Sequence, residues 1–121
     1  MEDYILKEID KIGQMLTLIA KKLGLFDSHT PDYTLEDVKQ EFNNDNLPFD
    51  LDTVLQLDNP VVYLIEDLKL SDSALETLIE IIFYSDLCED RKNALLKDAL
   101  TYLDGKGNFS FRLHSLISRE Y

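Results

Sequence analysis

Residues 4–23 read Y-I-L-K-E-I-D-K-I-G-Q-M-L-T-L-I-A-K-K-L. Ile5, Ile9, Ile12, Leu16, Ile19 and Leu23 recur at alternating steps of four and three, and Leu6, Gly13 and Ala20 run beside them seven apart. That spacing lines one face of an α-helix. Lysines, acids and amides fall largely elsewhere on the wheel, so the stretch is amphipathic. A two-stranded coiled-coil seam uses two positions in seven, and this helix spends at least three. The stripe is therefore expected to pack on the chain's own helices. Tyr4, Met15, Leu18 and Leu25 extend the apolar surface outward and form the expected interface with a partner. Ile12→Asp is expected to unfold the domain and Leu18→Asp to alter only its assembly.

Working outward, Gly24 and Lys21-Lys22 suit the C-terminal end of this helix, and Pro31 prevents its continuation. Thr34 with Asp37 three residues on predicts an N-cap for a short helix carrying Leu35, Val38 and Phe42. The run Asn43-Asn44-Asp45-Asn46 ends it. Asp50 is the expected cap of Leu51–Leu57, and Asn59-Pro60 that of the next piece. By composition Val61-Val62-Tyr63-Leu64-Ile65 also fits a buried strand. Helix is preferred, because no other segment offers a strand to pair with it.

Ser71 opens the strongest interior helix, with Leu70 and Leu75 placed for a hydrophobic staple. Leu75, Leu78, Ile79, Ile82 and Phe83 form one face, and Ile81 and Tyr84 widen it. Such a helix is buried against several neighbours and is central. Glu89 to Leu103 follows after a short Asp86–Cys88 connection, which implies an antiparallel hairpin. Gly105 and Gly107 are expected to end that helix in left-handed conformations, and Asn108 to cap a last one carrying Phe109, Leu113, Leu116 and Ile117. The fold class expected is all-α, a single domain over residues 1–121. It is a bundle of about six helices: a long first one, two or three short ones, and a C-terminal hairpin with a final capping helix.

Composition narrows function. The 121 residues carry a formal charge of −12, with 45% hydrophobic content and one cysteine. Residues 1–24 sum to zero, whereas residues 25–70 set eleven acids against Lys39 and Lys69. Such a field repels nucleic-acid phosphates and anionic lipid, and favours a basic partner or simple solubility. No apolar run reaches a membrane span, and Met1-Glu2-Asp3-Tyr4 lacks a basic leader, so the expected location is the cytoplasm.

No catalytic signature stands out. Asp104-Gly105-Lys106-Gly107-Asn108 fails as a calcium loop, because Lys106 and Phe109 stand at the third and sixth positions. Asp27, His29 and Asp32 lie in one loop without a further ligand motif. Cys88 lacks a visible base, and His114 sits on another helix among hydroxyls. Neither cofactor, metal nor small-molecule substrate is expected; an enzyme assembled from His29, Cys88 and His114 ranks third, and a membrane-surface role for the first helix ranks below it. The leading expectation is a non-enzymatic module that binds a protein partner or its own copy. The alternative is an acidic, nucleic-acid-mimicking inhibitor of a basic protein surface.

Residues 4–23, together with Leu51–Leu57, Leu68–Phe83, Ala99–Leu103 and the ending F-S-F-R-L-H-S-L-I, resemble a bacterial family of small helical proteins of unknown function. That resemblance implies two short helices followed by a degenerate tetratricopeptide-like pair. Ile or Phe stands where the repeat expects a small residue midway along its first helix, and only one pair is present, which puts a concave peptide groove in doubt. The family carries no catalytic residues, so none transfer.

Overall fold

The computed structural model describes residues 2–25, 33–44, 47, 49–107, 110 and 113–116, with residues 2–11 described as helical backbone only. Six helices run in order: α1 Glu2–Lys22, α2 Leu35–Asn44, α3 Leu51–Gln56, α4 Pro60–Glu66, α5 Asp72–Phe83 and α6 Glu89–Gly105. A helical turn, α7, covers residues 113–116, and no strand occurs among the described residues. The all-α bundle is as expected, and the ambiguous segment 61–65 is helical within α4.

The helix starts follow from local chemistry. Thr34 Oγ1 accepts from the Asp37 N–H at 3.1 Å, and Asp37 Oδ2 accepts from the Thr34 N–H at 3.1 Å. This is a reciprocal capping box with Asp in place of Glu. Asp50 accepts from the Thr53 N–H, and Ser71 from the Ala74 N–H. Leu70 and Leu75, the staple pair, are both buried. Asn59 stands at the N-cap of α4 as expected, with Pro60 at the start of the helix, but its side chain makes no cap bond. Ahead of α7, Ser110 Oγ accepts from the Leu113 N–H at 3.2 Å; Asn108, the expected cap, lies outside the described residues.

The ends are equally specific. Gly24 has φ +80°, the Gly24 N–H donates to Lys21 O at 3.0 Å, and the Leu25 N–H donates to Ala20 O at 2.9 Å. That pair of bonds is a Schellman motif. Gly107, at φ +82°, likewise donates to Asp104 O at 3.0 Å. Gly105, expected to be left-handed, is instead the last residue of α6 and lacks a positive φ. α2 also runs through Asn43 and Asn44 rather than stopping at Phe42.

Helix α5 is the centre. Leu75, Leu78, Ile79, Ile81 and Ile82 are all buried, so nearly its whole girth is covered. α1 packs on it most extensively, α6 packs on it and on α4, and α2 touches α1, α3 and α5. The short Tyr84–Cys88 link joins α5 to α6, and Lys106 at the far end of α6 pairs with Asp72 at the start of α5 at 3.0 Å. Those two ends define an antiparallel hairpin. Ser110 Oγ also donates to Glu76 Oε2 of α5 at 2.5 Å, which docks α7 so that Leu113 and Leu116 enter the core.

Candidate interaction surface

The inner stripe of α1 delivers Leu16, Ile19 and Ala20 to the core at 0% exposure, with Gly13 buried and Ile12 and Leu23 partly so. Each helical residue advances about 100° around the axis. Leu18, two positions from Leu16, therefore faces away from the core, and it is 55% exposed. Met15 is half-buried beside it, and Gln14, Lys21 and Lys22 are exposed. Gly13, Gln14, Thr17 and Leu18, with Ser73 at the start of α5, line an open hollow of about 400 Å³.

Of the other two expected interface residues, Leu25 is buried and leaves the surface. The cause is the Schellman turn: it places the residue after the glycine against the last turn of its helix, here Leu25 over buried Ala20. The side chain of Tyr4 lies outside the described residues.

A second surface was not singled out by the sequence. Among the described residues, the other large exposed apolar side chains are Leu57, 37% exposed, and Val62, 50% exposed. Two hollows of about 320 and 310 Å³ lie along the side where α6 meets the α3–α4 corner, and Asp98 borders both. Leu57 and Ala94 line one, Val62 and Tyr102 the other. Val61 is buried and Val62 exposed, a difference that an unbroken apolar run conceals. The available signal was the Asn59-Pro60 start, which sets the helical phase of the run.

The charged groups are partly engaged. Lys39 pairs with Asp52 at 2.6 Å and Glu36 at 3.9 Å, and the Asp52 hydrogen bond holds its ammonium above the ordinary lysine range. Lys106 is raised likewise, first by its bond to Asp72 and then by Tyr102. Arg91 Nη2 donates to Leu55 O in the last turn of α3, where carbonyls lack helical partners.

The possible chemical groups are dispersed. Cys88 is an exposed thiol at the N-cap of α6, whereas His114 lies 3.9 Å from Asp104 near the other end of that helix. Sixteen positions of helix separate Cys88 from Asp104, roughly 24 Å of rise. The thiol and imidazole are thus not brought together, and His29 lies outside the described residues. Among the described residues no three His, Cys, Asp or Glu side chains gather to hold a metal, and no helix is long and apolar enough to cross a membrane. The chain matches no family model, no curated protein and no solved structure.

Proposed function

We propose that this chain is a non-enzymatic protein-interaction module whose α1 outer face joins it to a second copy. The observation that carries the reading is Leu18, 55% exposed on a helix whose opposite face carries Leu16, Ile19 and Ala20 into the core. Exposed leucines occur singly on many surfaces. Here Leu18 adjoins half-buried Met15 and borders the hollow running to Ser73, so the apolar area is more than one side chain.

Charge favours the same face. Two chains of −12 repel one another, yet residues 1–24 sum to zero. An approach through α1 brings the least anionic part of each copy to the contact. A contact between identical patches closes as a two-fold dimer.

The test is the solution mass of the purified chain over a concentration series, measured by light scattering. A dimer that dissociates on dilution is expected. A strict monomer at every concentration, with no partner retained through α1 in pull-downs, overturns the reading.

A further inference from the structure

The side of α6 that meets the α3–α4 corner is the other unpartnered apolar surface, and its shape and charge differ from those of α1. Its two hollows share Asp98 and run along α6 from Arg91 to Tyr102. Eleven positions of helix give a groove roughly 16 Å long, about three turns. Val62 and Leu57 are exposed along it, and Ala94 and half-buried Tyr102 add apolar floor.

The rim is acidic. Asp58 and Asp98 both line the first hollow, Asp98 also borders the second, and both are exposed. Neither forms an ion pair among the described residues. The two cations at the ends of the groove are engaged within the protein: Arg91 donates to Leu55 O, and Lys106 pairs with Asp72 while lying 5.2 Å over the Tyr102 ring. An apolar floor with unpaired carboxylates on both walls is complementary to a helix that is apolar on one face and cationic along its flanks.

We propose that the groove between α4 and α6 takes a basic amphipathic helix, about three turns long, from a partner protein. This rests on the reading of the chain as an interaction module, and it supplies the chemistry of a partner at a second surface. A second copy is a poorer occupant here, because this face is acidic and so is most of the chain. The first anchor enters beside Val62 and Tyr102, and lysines or arginines on either flank meet Asp58 and Asp98.

The experiment uses the full chain and two labelled peptides of leucine and lysine, about eighteen residues each. One has leucines spaced by three and four; the other is the same composition scrambled. Fluorescence anisotropy near physiological salt is expected to show the ordered peptide binding about tenfold tighter than the scrambled one. Val62→Ser is expected to weaken the ordered peptide about tenfold and leave the scrambled one unchanged. Asp98→Lys weakens both, and Leu18→Asp weakens neither. Circular dichroism verifies that each variant is folded.

Equal binding of the two peptides would mean diffuse charge attraction and would overturn the proposal. So would a Val62→Ser variant that binds the ordered peptide normally. A drop in solution mass on Val62→Ser would show that a second copy covers the groove, and overturns the assigned occupant. If peptide binding fails while a Leu18-dependent dimer persists, the groove proposal falls and the α1 reading stands.

Discussion

The Tyr33 hydroxyl donates to the Ile81 carbonyl oxygen at 2.7 Å, across 48 positions of chain. Ile81 belongs to the last turn of α5, where carbonyls lack helical partners. The adjacent chain returns the favour, since Asp86 Oδ1, just beyond α5, accepts from the Leu35 N–H in the first turn of α2 at 2.7 Å. The end of one helix and the start of another thus cap each other. Tyr33→Phe removes the donor and leaves a buried carbonyl, at a cost of about 1–3 kcal/mol in urea unfolding at neutral pH.

The same hydroxyl sets an alkaline limit. Burial, helped by Tyr84 and Glu80, pushes the Tyr33 hydroxyl well above its ordinary 10.0. Above that pH the unfolded chain gives up this proton while the folded chain keeps it, so the folded state binds more protons and stability falls as pH rises. The contribution is complete below about pH 10 and is lost as the pH climbs from there toward the folded value. Urea midpoints followed from neutrality past pH 10 are expected to fall less steeply in Tyr33→Phe than in the parent. Parallel slopes would contradict the assignment.

Two glycines, Gly24 just beyond α1 and Gly105 on α6, are expected to respond with opposite signs. Gly24 has φ +80° with nothing within 4 Å of an added Cβ, so Gly24→Ala costs about 1–2 kcal/mol through backbone strain alone. Gly105 is helical and equally open, so Gly105→Ala gains about 0.4–1 kcal/mol by restricting the unfolded chain. Thermal midpoints of the two variants check the pair.

Ser110→Ala removes both the α7 cap and the bond to Glu76. A loss of about 1–3 kcal/mol is expected. Hydrogen exchange at the Leu113 and His114 amides should rise before the rest of the chain is affected, because His114 N–H also bonds to Ser110 O.

What the sequence made legible was local or periodic. The Thr34–Asp37 box, the Asp50 and Ser71 caps and the buried stripe of α1 each depend on residues within a turn or on 3.6-residue spacing. Leu25 was misplaced because its burial comes from the turn that follows the periodic stretch, where the helical wheel no longer applies. The part Ser110 plays at the start of α7 depends on Glu76 of α5, which accepts from its hydroxyl across 34 positions of chain. Tyr33 and Asp86 act across 48 and 51 positions of chain, which no short window of sequence contains. The α4–α6 groove required the relative placement of two helices, so Val62 could be read only as one apolar residue in a run.

Ile12→Asp, expected from the sequence to unfold the domain, falls at a partly buried site. Leu16 and Ile19 at 0% exposure are the sharper core positions. Leu16→Ala is expected to cost about 2–5 kcal/mol, measurable by urea unfolding, and Leu16→Asp to abolish the folded state by burying an unpaired carboxylate.

The most direct test of the two-faced first helix is the solution mass of Leu18→Asp by light scattering, read beside its helical circular dichroism and that of Leu16→Asp. The predicted result is a fully helical Leu18→Asp of half the parent mass, with Leu16→Asp unfolded. A folded Leu18→Asp whose mass equals the parent's would contradict the account.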